Sequence, residues 1–370
     1  MTCPDTRVLT LPGLRLPADG PLLRQHVRDE AERDEDYRQR YDRTTLLYDA
    51  VRLANGRVLM TAPRLLNLWP ALRDGIRIDG LRPRLRRRVF GKFEFISTRA
   101  PGDTLTFQTD SLNLTLPIRP AERAAFAGQR CVVTMNRDND LHWIRDWAQH
   151  YASRHGLEGV LIYDNGSTAY TPQALADILA GVPGLRTIRI VVVDFPYGTV
   201  SSGEGAQIRP KFLQPAMMNL ARADFLAGAR AVLNIDIDEI IPAGPQTVFD
   251  ATLATRLGVL RIPGRWIYPA PDAPMPCRHA DHLYTPEQRI KCNYKWCARP
   301  GGLLDAIHGW NVHRIGGQAF KMLPPAETFR FFHCRGVSTG WKSEDRRYAL
   351  PENLRHTPEL AQILPEATQP

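Results

Sequence analysis

The chain has 370 residues, 43% hydrophobic and 24% charged, a balance that suits a globular protein and excludes a disordered or low-complexity one. Lys and Arg number 48 against 39 Asp and Glu, and the net charge of +9 favours anionic partners. No apolar run approaches the roughly 20 residues needed to span a bilayer and no leader opens the chain, so a cytoplasmic protein is expected, with peripheral docking on the inner face of the plasma membrane as an option. The six cysteines lack CxxC spacing, which fits a reducing compartment and argues against a zinc site.

In chain order, residues 21–41 read as a polar helix. TTLLYDAVRLANGRVLMTAP (44–63) then reads as two strands around Asn55-Gly56, a dipeptide favoured in tight hairpins. RRVFGKFEFIS (87–97) and TLTFQTDSLNLTLPI (104–118) continue the strand character, with the turn signal APGD between them. Residues 82–92, RPRLRRRVFGK, carry six basic residues and no acid. They read as an exposed strand of solvated arginines or as a docking patch for acidic lipid or polysaccharide. No helix-turn-helix or zinc-finger signature accompanies the run, so no nucleic-acid partner is expected.

The pattern changes after residue 128. CVVTM (131–135) is a short buried strand, and Leu141, Ile144, Trp147, Ala148 and Tyr151 then recur at helical spacing, predicting a helix to about His155. GVLIYD (159–164) is a second strand, and Thr171-Pro172 opens a second helix to about Leu179. LRTIRIVVVDF (185–195) is a third strand; a helix over 211–226 leads into AVLNID (231–236), the fourth. Apolar strands alternating with helices predict an α/β fold with a mostly parallel sheet, its helices on both faces. The expected organisation is a small β-rich domain with a leading helix over 1–128, then a Rossmann-like α/β domain over 129–370. Beyond 258 the alternation fades: VLRIPGRWIY (259–268) reads as one strand, followed by a Pro-rich stretch, NYKWCARP (293–300) and a His-bearing run through Cys334.

Ligands of such sheets sit at the carboxyl ends of the strands. Three polar turns fall on that rim: Asn136-Arg137-Asp138, Asp164-Asn165 and Asp236-Ile237-Asp238. In the last, side chains two apart share a face of an extended chain, so both carboxylates can approach one ion. Hard oxygen donors suit Mg2+ or Mn2+, which often complete their shell with substrate phosphates. Arg209 and Lys211, at a helix start after the Gly-bearing loop SSGEGAQI, form a candidate anion site.

The string TMNRDNDLHWIRDWAQHYASRHGLEGVLIYDNGST (134–168), followed by NIDIDEIIP (234–242), resembles glycosyltransferases of the GT-A fold, and looks closest to the family-two and family-ninety-two types. YKWCARPGGLLDAIHGW (294–310) and FFHCRG (331–336) are similar to later stretches of that family. Arg137-Asp138 departs from the family's usual Glu after Asn, and Ile240 from its usual Phe. The resemblance implies inverting transfer of a sugar from a UDP- or GDP-type nucleoside-diphosphate sugar to a hydroxyl of a glycan or lipid-linked glycan, in surface or capsular polysaccharide synthesis. It also implies Asp238 on the metal, Asp236 on the metal or the ribose, Asp164 at the base or ribose, and Glu239 as a wall residue. His308 and His333 match positions that complete a metal shell or hold diphosphate, while Lys295, Arg299 and Lys342 would neutralise phosphate. Asp305 is the favoured catalytic base, with His308, Asp281 and Glu327 as alternatives. Two other classes stay open. A nucleotidyl or phosphoryl transferase would show a Gly-rich, Lys-bearing loop after the first strand, which TMNRDND lacks; a non-catalytic protein would use the acids only to hold Ca2+ and its β domain to bind glycan.

Overall fold

The computed structural model describes residues 3–199, 210–273, 275–338 and 349–364. The chain divides into two compact units, one of Met1–Leu9, Ala125–Val192 and Leu226–Pro370, the other of Thr10–Ala124 and Val193–Phe225. Each unit is therefore assembled from segments far apart in sequence.

The first unit is a mixed α/β structure around a mostly parallel sheet of seven strands. Their order is Asp5–Thr10, Thr187–Val192, Gly159–Asp164, Arg130–Asn136, Ala231–Asn234, Lys295–Ala298 and Val259–Ile262. The four strands from Thr187–Val192 to Ala231–Asn234 run parallel, and Lys295–Ala298 runs antiparallel to both of its neighbours. Alternate residues Val132, Val160, Ile162, Ile188, Ile190 and Leu233 pack with Trp143, Trp147, Tyr151, Leu175 and Leu179 from two helices in one core. Those helices, Leu141–His155 and Pro172–Ala180, match the expected spans. Asp140 caps the first by accepting the His142 N–H, and Gly156 ends it in the left-handed region at φ 64°.

The expected single strand over 259–268 is two, because Pro263 has no N–H to continue a ladder. Val259–Ile262 closes the edge of the large sheet, while Gly264–Ile267 pairs in parallel with Phe331–Cys334. Phe331–Cys334 in turn pairs antiparallel with Glu239–Ile240, so this small sheet follows the acidic turn directly.

In the second unit, Asp49–Arg52 and Val58–Pro63 form the expected hairpin, with Gly56 at φ 75° in its turn. They belong to a five-stranded sheet in the order Arg119–Pro120, Asp49–Arg52, Val58–Pro63, Phe93–Thr98, Arg86–Val89. The helix expected over 211–226 runs Leu213–Ala223 and packs on Val58–Pro63 and Phe93–Thr98 of this unit. The long helix expected over 21–41 is replaced by a turn at Glu30–Glu32 and a short helix, Glu35–Arg40. The reason is Arg24, whose fully buried guanidinium donates to Arg64 O at 2.8 Å and also to Asp42 O and Thr45 O. Its own N–H donates to Arg43 O, which holds the segment against the neighbouring chain rather than in a helix. Half-buried Arg119 lies 2.7 Å from both Asp49 Oδ2 and Asp224 Oδ2, two buried carboxylates. Among the described residues no helix is long and apolar enough to cross a membrane.

Candidate active site

The acidic turn leaves the carboxyl end of Ala231–Asn234, and its shape is set by its own residues. Ile235 and Ile237 point into the core and alternate with Asp236 and Asp238. The Glu239 N–H donates to Asp236 O at 3.1 Å, and the Asp236 N–H donates back to Glu239 Oε2 at 2.9 Å. Glu239, expected as a wall residue, thus closes the turn.

Register then delivers two cations. Lys295 opens the strand antiparallel to Ala231–Asn234, and its fully buried ammonium lies 2.5 Å from Asp236 Oδ2 and 2.9 Å from Glu239 Oε2. His333 is the cross-strand partner of Glu239; its Nε2 lies 3.0 Å from Asp238 Oδ2 and its Nδ1 3.7 Å from Glu239 Oε1. Trp266, the partner of His333 on its other side, stacks on the imidazole at 3.8 Å between ring centres. Nothing in the sequence pattern pointed to Trp266, whose placement follows from the strand break at Pro263.

Charge balance in this cluster follows from burial. Burial opposes the charge on Lys295, but Asp236 and Glu239 outweigh it and hold the ammonium above its usual range. Burial likewise opposes a charged His333, and Asp238 with Cys292 and Glu239 carries that imidazolium up to about 10. Burial pushes Glu239 up to about 7 against the pull of Lys295.

The turn is clamped from behind by the helix Leu141–His155. Tyr151 donates its hydroxyl to Glu239 O at 3.0 Å and accepts the Ile241 N–H at 3.0 Å. His150 and His155 both reach Ile241 O, at 2.7 and 2.9 Å, and His279 reaches Ile237 O at 2.8 Å. Burial keeps these imidazoles neutral, drawing His150 down to about 3 and His279 to about 4. A neutral imidazole that donates through Nε2 suits a carbonyl acceptor.

A second cluster lies on the same edge of the sheet, where Asn136 and Asp164 are register partners. Asp164 is 1% exposed and accepts from Asn136 Nδ2 at 2.7 Å and from the Ser167 hydroxyl at 2.6 Å. Asn136 also donates to the Tyr170 hydroxyl at 2.9 Å, and the Asn165 N–H donates to Asn136 O at 2.8 Å. Asp138, at φ 53°, accepts from the Thr168 and Ala169 N–H groups, tying the two turns together, while Arg137 is exposed beside it. These loops border a cavity of about 450 Å³ lined by Asp138, Asp140, Leu141, His142, Trp143, Ala169, Tyr170 and Pro276. Asp164 bears on this cavity through Asn136, which bridges it to Tyr170.

The remaining expected residues lie on other elements. Asp305 is buried in the first turn of Leu303–His308 and accepts the Gly301 N–H at 2.8 Å, while His308 is exposed at that helix's end. Lys211 belongs to the second unit, two residues before the helix Leu213–Ala223. Arg209 and Lys342 lie outside the described residues.

The residues also fit a divalent cation. Donor atoms of Asp238, Glu239 and His333 all lie within 4.8 Å of one another. Two carboxylates suit Mg2+ or Mn2+, and the imidazole favours the softer Mn2+. Binding through His333 would displace its proton. Lys295 engages one oxygen of Asp236, expected as a ligand, and one oxygen of Glu239, which leaves Oε1 of Glu239 on the His333 side.

No protein-family model matches the chain, and no curated protein sequence matches it. Among solved structures, S. aureus TarS 1–349 in complex with UDP aligns at 13% identity over 56% of this chain and 60% of that one, with a TM-score of 0.32. S. aureus TarS 1–349 in a second structure aligns at 15% identity over the same shares, with a TM-score of 0.31. A mycobacterial protein aligns at 14% identity over 58% of this chain and 67% of that one, with a TM-score of 0.27. The alignments thus span about three fifths of the TarS chain, and the likeness is too distant to carry an assignment.

Proposed function

We propose that the chain is a metal-dependent glycosyltransferase that moves a sugar from a UDP- or GDP-type nucleoside-diphosphate sugar to a glycan hydroxyl. One observation carries the reading: Asp238, Glu239 and His333 converge at the strand-end edge of a mostly parallel sheet, beside the turn that holds Asp236. Asp238, Glu239 and His333 would hold a divalent cation, which would supply positive charge opposite the leaving diphosphate. The cavity walled by Leu141, Trp143, Tyr170 and Pro276 offers apolar surface for the nucleoside, and its volume lies within the range of small-molecule sites. Asp138, Asp140 and His142 supply polar contacts there, and the Asn136–Asp164 pair holds the Tyr170 wall in place.

Lys295 takes a different role from the phosphate contact expected of it. Its ammonium is spent on Asp236 and Glu239, so it keeps two like charges together in a buried turn. In the transfer itself the acceptor oxygen bonds to the anomeric carbon, the bond to the diphosphate oxygen breaks, and a base takes the hydroxyl proton. His308 is the better candidate for that base, because it is exposed whereas Asp305 is buried and caps its own turn.

Incubation with UDP- and GDP-sugars, Mn2+ and glycan acceptors should release nucleoside diphosphate. Asp238→Ala or excess chelator should abolish that release; undiminished release in either case would refute a metal-dependent site.

A further inference from the structure

The basic run over 82–92 is sorted by the fold into two sets. Arg87 turns inward, its guanidinium 2.7 and 2.9 Å from the two oxygens of fully buried Glu94 and 4.5 Å above the Trp69 ring. Arg82 is held by Asp74 at 2.7 Å. Arg84, Arg86 and Arg88 alternate with inward-facing Leu85 and Arg87 and are exposed, at the edge of the five-stranded sheet. Two large apolar side chains flank them in solvent, Leu81 at 65% exposure and Val89 at 46%. A basic run whose edge strand shows arginines on the face opposite Arg87, with an exposed aliphatic residue at the strand's end and another in the turn ahead of the run, has the chemistry of a surface that meets anionic headgroups and inserts shallowly.

We propose that this edge of the second unit, centred on Arg84, Arg86 and Arg88 with Leu81 and Val89, docks on an anionic lipid bilayer. Charge complementarity selects the lipid: the arginines attract the headgroup layer, and the aliphatic pair adds contact that a soluble polyanion does not reward. Arg87 is not part of the docking face. It is the strut that neutralises Glu94, and it keeps the edge strand attached to the sheet.

Vesicle co-sedimentation of the full chain tests this, with phosphatidylcholine vesicles against the same vesicles carrying phosphatidylglycerol. Binding should require the anionic lipid and weaken with salt. Each arginine replaced by alanine should cost about fivefold in partitioning, so Arg84→Ala, Arg86→Ala and Arg88→Ala together should cost on the order of 100-fold. Because Arg88 lies over the Phe90 ring at 4.7 Å, the double variant Arg84→Ala with Arg86→Ala, which keeps that contact, should melt as the parent does and still lose about 25-fold in partitioning. Leu81→Ser with Val89→Ser should weaken vesicle binding while leaving binding to a soluble anionic polysaccharide as it was. Equal binding to neutral vesicles, no binding to anionic vesicles at low salt, full binding by the triple variant, or equal loss of polysaccharide and vesicle binding in the aliphatic variant would each overturn the proposal.

Discussion

Replacing Lys295 with methionine tests the charge balance of the acidic turn. The substitution nearly preserves volume and removes only the ammonium that lies 2.5 Å from Asp236 and 2.9 Å from Glu239 at a fully buried position. Removing one partner of a buried ionic cluster typically costs about 3–5 kcal/mol, because the remaining charge stays in a medium that solvates it poorly. For a unit of this size that is a fall of roughly 10 °C in melting temperature. The loss should also depend on pH. Burial already raises Glu239 to about 7, and Lys295 is the main influence holding it down, so Lys295→Met raises it further. An acid whose folded value lies above its unfolded one folds with uptake of a proton, so its charge does not weaken the fold below the unfolded value near 4.5. The destabilisation sets in as pH rises from there and is complete above the folded value. Thermal melts should therefore show a larger gap between variant and parent at pH 8 than at pH 5. Adding Glu239→Gln to Lys295→Met should recover part of the loss, a non-additivity expected of contacting charges. A variant that melts within about 2 °C of the parent at both pH values would refute the assignment of Lys295 as the counter-ion of this turn.

Tyr151→Phe removes one hydroxyl and with it both bonds to the turn backbone, at Glu239 O and Ile241 N–H. It should cost about 1–3 kcal/mol and weaken Mn2+ binding in calorimetry, whereas unchanged affinity would make the clamp purely structural. The buried histidines give the opposite pH signature to Glu239. His279 and His150 are bases depressed to about 4 and about 3, so the stability they allow is complete above the unfolded value near 6.5 and is lost as pH falls toward their folded values. The parent should melt progressively lower between pH 7 and pH 4, and His279→Gln should flatten that slope; an identical slope would remove His279 from the account.

Elements made by local pattern were legible from the sequence. The helix Leu141–His155 was legible from its run of apolar residues at helical spacing, and the structure ends it with Asp140 as cap and Gly156 as stop. The parallel strands Arg130–Asn136, Gly159–Asp164 and Thr187–Val192 were visible as short apolar runs between helices. The Asn136 and Asp164 turns followed, because strand ends in such a sheet share an edge. Reading residues 21–41 as one helix failed because Arg24 bonds to carbonyls at positions 42, 45 and 64, contacts that no local window contains.

The sequence by itself determined that a buried strand would end in Asp236, Asp238 and Glu239 at the rim of an α/β sheet, since period, polarity and turn chemistry are local properties. Tertiary structure alone decided what those acids meet. Lys295 lies 59 residues from Asp236 and His333 lies 95 from Asp238, and antiparallel pairing brings each to its carboxylate. The same kind of pairing parts half-buried Arg87, held on buried Glu94, from the exposed arginines beside it. The physical reason is common to these cases. A buried charge must find its counter-charge, and that counter-charge is supplied by whichever strand lies alongside in the sheet, however far away in the chain.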